Sequence, residues 1–249
     1  MSPLAVLLAL IIGLTLGLLG GGGSILTVPV FVYALGLEPK RAIAMSLPVV
    51  GGAALVGAFQ HWRKGNVILG TALPFGAAAM AGAFLGARLA GGINGHIQLA
   101  MFAVVMLGAA ISMIRSAQRS EPATPRDKPS WGALLAIGVG VGSVTGLVGA
   151  GGGFLIVPAL VILGGLPMSH AVGTSLLVIS MNTLSGFLGY QGAVDVDWPL
   201  VGAFGGVTAV GIVAGSALVS HVPQRTLKVA FAVLLLLIGS WILFQYGSL

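Results

Sequence analysis

The sequence has no cysteine and almost no charge. Without cysteine there is no disulfide framework, no thiolate metal site and no cysteine nucleophile. Charged residues make up 6% of the 249 positions, against about 25% in soluble domains, and no water-soluble surface can be built from so few. The five carboxylates, Glu38, Glu121, Asp127, Asp195 and Asp197, all fall in expected loops or at the ends of apolar runs. A carboxylate proton relay across a membrane therefore lacks its parts, and a cation site lacks its ligands. The histidines at 61, 96, 170 and 221 lie near loop positions without metal-ligand spacing. They read as interfacial residues, and no metal or cofactor is expected. Signatures of enzymes are missing too. There is no H-E-x-x-H, no G-K-[ST] after the glycine cluster, and the serine of "NTLSG" does not sit in the G-x-S-G of an intramembrane protease.

What is present is apolar. Hydrophobic residues reach 57% and mean hydropathy is +1.09. Several runs approach the ~20 residues that cross a hydrocarbon core, so the chain is expected to be an all-α polytopic membrane protein. The lipid bilayer is then a partner, and the net charge of +6 is a topology signal and not a nucleic-acid footprint. The N-terminal "MSPLAVLLALIIGLTLG" has no basic n-region and reads as retained. The most polar stretch, "RSAQRSEPATPRDKPS" at 115–130, reads as a solvated linker.

The linker divides two halves that align at an offset of 129 residues without a gap. Gly17, Gly20, Gly22 and Gly23 fall on Gly146, Gly149, Gly151 and Gly152, Pro29 on Pro158, Ser46-Leu47 on Ser175-Leu176, and Gly82 and Gly86 on Gly211 and Gly215. An internal duplication follows, with a first repeat at 1–114 and a second at 131–249. Each repeat reads as one long apolar unit, at 4–36 or 132–165, then three spans. The spans are expected at 42–60, 67–88 and 96–114, and at 171–190, 199–220 and 226–244. As one straight helix the long unit would be about 50 Å at 1.5 Å per residue, in a hydrocarbon core about 30 Å thick. Glycines near its middle admit a re-entrant hairpin of broken helices instead.

The basic residues choose between these readings. If each long unit crosses, they divide six to five between the two sides. If each is a hairpin, Arg63, Lys64, Arg115, Arg119, Arg126, Lys128, Arg225 and Lys228 share one side and Lys40, Arg41 and Arg88 the other. The positive-inside rule favours the hairpin, and with it an inverted repeat, both termini outside and the linker cytoplasmic.

In an inverted repeat two such breaks can meet near the midplane, where many transporters hold substrate. The first N–H groups of a helix have no intrahelical partner, and the dipole adds partial positive charge there. Gly21, Gly22, Gly23 and Ser24, with Gly151, Gly152 and Gly153, are thus candidates to hold a small anion without a buried Lys or Arg. Ser46, Thr174, Ser175, Asn182 and Ser185 are the polar side chains best placed to join them. For Ser46 and Ser175 the alternative is a bond to backbone or a neighbouring helix, and for Asn182 an interhelix bond. Thr27 reads as bonded to its own helix. Arg88 is either a snorkelling residue or an electrostatic gate that attracts anions. Gly82/Gly86 and Gly211/Gly215 have the small-xxx-small spacing of close helix packing.

The pattern GxxGxGG(G)xxxxP followed by a helix with a small Ser/Thr patch appears as "GLLGGGGSILTVP" with "AIAMSL" and as "GLVGAGGGFLIVP" with "AVGTSLLVIS". Over nearly the whole chain it resembles the sulfite exporter TauE/SafE family of anion permeases. The resemblance implies a multi-pass plasma-membrane carrier for sulfur-containing anions such as sulfite or sulfonates. "AMSL" stands in the first half where the second has "GTSL", so the halves need not act alike. A passive anion channel is the alternative reading, and a homo-oligomer is admissible but not required. With no native cysteine, topology can be read from Lys40→Cys, Ser120→Cys and Ser248→Cys. An impermeant thiol reagent outside the cell should label positions 40 and 248 but not 120. Protection of 40 with labelling of 248 would refute the hairpin.

Overall fold

The computed structural model describes residues 1–118, 131–148, 153–190 and 194–247. Most of the expected linker therefore lies outside the described residues, as do Gly151 and Gly152. The described chain is helical: α1 Pro3–Leu19, α2 Gly22–Pro29, α3 Pro39–Arg63, α4 Leu69–Ala90, α5 Gly95–Gln118, α6 Trp131–Val148, α7 Gly153–Pro158, α8 Met168–Tyr190, α9 Trp198–Leu218 and α10 Gln224–Gly247. Among these, α3, α4, α5, α6, α8, α9 and α10 are long and apolar enough to cross a membrane. At 18 residues α6 just reaches that length and at 17 residues α1 falls just short. The first arm of each long unit is thus more than half a crossing.

Local sequence sets the helix starts. Ser2 accepts from Ala5 N at 3.2 Å, with Pro3 opening α1. Glu38 accepts from Lys40 N and Arg41 N ahead of α3, with Pro39 in first place. Asp197 accepts from Leu200 N at 3.0 Å ahead of α9. Each side chain satisfies N–H groups that the helix cannot, and proline loses nothing at a position whose N–H is unused.

Prolines shape the second arms. Pro29 and Pro158 each end a short helix that widens into one π turn, Val30–Ala34 and Ala159–Leu163. The wider turns close through Leu35 N to Val30 O and Gly164 N to Ala159 O, both 3.0 Å. A proline within a helix removes one i→i−4 bond and crowds the carbonyl behind it, and a π turn is a common local accommodation.

Glycines let the helices touch backbone to backbone. Gly13 and Gly17 of α1 lie against Thr208, Gly211, Ile212 and Ser216 of α9, while Gly211 and Gly215 face Leu10 and Leu14. The pairing of α6 with α4 has the same construction, with Gly142 and Gly146 on Ala79 and Ala83 and Gly82 and Gly86 on Val139 and Ser143. In both pairs the residue numbers rise together, so the helices run in the same direction. The close-packing role expected for Gly82/Gly86 and Gly211/Gly215 is present in the structure. α5 packs on α10. α3 and α8 cross in the middle, with Gly51 against Thr183, and are the most enclosed long helices, 67% of each apolar window being buried.

The bundle has two distinct ends. At one, Lys40 Nζ donates to Gly91 O at 2.6 Å and Arg41 Nε to Asp195 O at 3.1 Å. At the other, Lys64 Nζ donates to Ser216 O at 2.9 Å and Met168 N to Gln224 Oε1 at 3.0 Å. Exposed Trp198 lies at the first end and exposed Trp62 at the second, as expected of aromatic residues at bilayer surfaces.

The glycine contacts predict a sharp contrast within one helix. A Cβ at Gly142 would overlap Ala79 O, whereas nothing lies within 4 Å of one at Gly140. Gly142→Ala should lower stability by roughly 1–3 kcal/mol through overpacking, and Gly140→Ala should be neutral or raise it by up to about 1 kcal/mol. Thermal unfolding of both variants in one detergent checks this, and equal midpoints would contradict it.

Candidate functional site

Helix α1 stops at Leu19 because Gly20 takes φ +69°, a conformation that residues with a Cβ rarely adopt. The chain turns there and α2 doubles back along α1, with Gly23 against Ile12 and Leu16. Gly21, at the start of α2, lies against the backbone of Gly153 at the start of α7. A Cβ built on Gly153 would come 2.8 Å from Gly21 Cα, 2.8 Å from Ile179 Cδ1 and 2.8 Å from Ser24 Oγ. Ile179 is midway along α8, so the meeting of the two helix starts is level with the middle of an enclosed long helix. Gly20 to Gly23 and Ser24 are all buried.

The polar candidates divide into those beside this meeting and those away from it. Ser24 is there, and donates to Gly21 O at 2.7 Å. Ser175 is there as well, its Oγ 2.7 Å from a Cβ built on Gly20, and it donates to Val172 O at 2.8 Å. Ser46 is buried on α3 and donates to Ile43 O at 2.7 Å. These hydroxyl protons are held by nearby carbonyls of their own segments, and each can be redirected by rotation about one C–O bond. Thr27 donates to Gly23 O at 3.2 Å.

Thr174 is elsewhere. It accepts from Ile68 N at 3.1 Å and ties the segment before α4 to α8. Asn182 donates from Nδ2 to Thr145 Oγ1 on α6 at 2.9 Å, an interhelix bond, while its Oδ1 is buried without a partner. Ser185 donates to Met80 O at 2.7 Å. Arg88 is exposed near the end of α4, its guanidinium 5.1 Å from the Phe84 ring, which is the geometry of a side chain reaching to an interface. No group of three or more metal-ligating residues occurs among the described residues.

Three side chains near the ends of the first arms, Tyr190, Gln98 and His61, escape a reading by residue type. Tyr190 is buried and donates to Gly146 O at 3.2 Å, while Gln98 Nε2 donates to Leu147 O at 2.8 Å and Tyr190 Oη at 3.0 Å. They donate to carbonyls in the last described turn of α6. At the offset of 129, Tyr190 corresponds to His61 and Gly146 to Gly17. His61 is not interfacial as its place near a loop suggests. It is fully buried, with neither ring nitrogen partnered, because α3 continues to Arg63 and packs it against α8. Comparing position 61 with position 190 in the two halves is the sequence signal that would have flagged His61 and Tyr190.

The family model described as sulfite exporter TauE/SafE matches residues 5–242. A probable membrane transporter protein of Xylella fastidiosa (strain 9a5c) is 34% identical over 207 residues, covering 81% of this chain and 79% of the relative. The probable membrane transporter protein YdhB of Bacillus subtilis (strain 168) is 27% identical over 244 residues, covering 97% and 100%. That of Methanocaldococcus jannaschii, MJ0441, is 27% identical over 194 residues, covering 76% and 72%. No solved structure matches. With the helical architecture, these similarities make the chain a multi-pass membrane protein of the TauE/SafE sulfite exporter family, a family of transporters and not of enzymes.

Proposed function

We propose that the protein is a secondary transporter of the cell membrane that moves small sulfur-containing anions such as sulfite or organosulfonates. The anion is held at the midplane by backbone N–H groups at the starts of α2 and α7, with Ser24 and Ser175 alongside. The observation that carries this reading is the contact between Gly21 and Gly153, which brings two helix starts to one point. Helix N-termini favour anions through free N–H groups and the dipole, with up to ~2 kcal/mol available from the dipole in a partly buried geometry.

An inverted repeat would fit the same reading. The α1/α9 and α4/α6 pairs share one construction, and Gly21 and Gly153, which meet, follow α1 and α6 in the chain. We infer that residues 1–114 and 131–249 are two homologous units inserted from opposite faces, each a re-entrant hairpin followed by three spans. Arg63 and Lys64 then share the cytoplasmic face, Lys40, Arg41 and Arg88 the outer one, and both termini lie outside.

The test is flux. In proteoliposomes, radiolabelled sulfite should show saturable counterflow against unlabelled sulfite, and an ohmic current without counterflow would instead indicate a channel. Gly21→Ala, whose new Cβ would overlap Gly153 O, should reduce exchange by more than about tenfold if the contact is worth the ~1.4 kcal/mol of one decade. Gly36→Ala meets open space at a positive φ, should cost roughly 1–2 kcal/mol of stability, and should exchange normally. Wild-type exchange by Gly21→Ala would rule out the paired helix starts as the site.

A further inference from the structure

The last turns of the two first arms are finished differently. Carbonyls in the last described turn of α6, Leu147 O and Gly146 O, receive N–H and O–H donors from Gln98 and Tyr190. At the end of α1 the Gln98 position is taken by Leu227 and the Tyr190 position by His61. His61 is completely buried, and neither Nδ1 nor Nε2 has a hydrogen-bond partner. Its ring faces the Gly17 backbone in a geometry that closes no hydrogen bond.

We propose that His61 binds a proton at the end of α1, and that this proton is held together with the anion at the adjoining start of α2. The inference rests on the anion reading of the break. The physics is a matter of dipole ends. Two residues, Gly20 and Gly21, separate Leu19, the last of α1, from Gly22, the first of α2. The C-terminal end of α1 presents about half a negative charge beside the positive start of α2, and so opposes an anion there. A proton taken from solvent onto the free lone pair of the imidazole gives an imidazolium whose N–H can donate to Gly17 O and offset that negative end. A buried cation needs a counter-charge, and the bound anion supplies it. Each charge therefore favours the other. At the end of α6, Tyr190 and Gln98 fill the same role as neutral donors and need no proton.

The groups that face His61 come from α1, α8 and the segment between α3 and α4. α1 contributes Gly17 and α8 contributes Gly173, against which the His61 Cβ packs. The connecting segment contributes Asn66 and the charged Lys64, whose ammonium is held by Ser216 O of α9. His170, at the start of α8, has its ring nitrogen 3.4 Å from Ser169 Oγ. Arg63 is exposed, its guanidinium 6.0 Å from the Phe59 ring.

The experiment uses thiosulfate, which does not itself titrate where histidine does. Its affinity for the purified wild type, read by calorimetry, should tighten as the pH falls from about 8, by roughly tenfold once the coupling is fully expressed, within the usual range of site-to-site coupling. In H61Y, which borrows the side chain of the other half, and in H61Q, the ratio should fall to about one. In 15N-histidine NMR spectra, the signal missing from H61Y should move toward the imidazolium position when thiosulfate is added at constant pH. Wild-type pH dependence in either variant overturns the proposal, as does a His61 signal unmoved by both pH and thiosulfate. If no sulfur anion binds the wild type, the anion reading fails by itself. The His61 signal then decides separately, since titration with pH supports the proton site and no titration removes it.

Discussion

Backbone meeting backbone is the constraint on which the rest of this molecule depends. Hydrocarbon offers no partner to a free N–H or C=O, yet the chain interrupts a helix inside the bundle, where α1 ends at Leu19 and α2 begins at Gly22. The interruption is tolerable because protein surrounds it. Gly21 lies on Gly153, Ser175 on Gly20, and Leu16 on Gly23. The same requirement repeats outward, where Gly13, Gly17, Gly82, Gly86, Gly142, Gly146, Gly211 and Gly215 bring whole helices within backbone contact. One residue type both breaks the helices and seals the break.

Polar side chains follow from this enclosure. Ser24, Ser46, Ser175 and Thr208 are buried and donate to carbonyls of their own segments. Bonds between distant segments include Asn182 to Thr145, Ser185 to Met80, Gln98 to Tyr190, and Ser216 to Gln60. With so little charge inside, an anion held as proposed would draw on peptide dipoles, whose sign depends only on which end of a helix is presented.

Much of the architecture was legible because it is written in composition and in glycine. The apolar runs give a multi-pass helical protein, and the GxxxG-like spacings at Gly82/Gly86 and Gly211/Gly215 mark close contacts that the structure contains. The sequence could not tell which hydroxyls face the break. Ser175 reaches Gly20 while Thr174, its neighbour, turns to Ile68 N, a difference set by helix rotation and not by residue type. His61 was misread for a related reason. Distance along the chain from a loop measures depth poorly when the helix runs on to Arg63 and another helix covers it.

The π turns behind Pro29 and Pro158 have a consequence for the surface loops at the two ends of the bundle. Each absorbs a change of helical pitch between the packed arm and the surface segment that follows, at Leu35–Glu38 and Gly164–Pro167. A joint of this kind isolates the inner tip of the arm from what is attached to its outer end. Loop sequences there can drift without moving Gly22 or Gly153, which leaves both ends of the bundle free to diversify around a fixed centre.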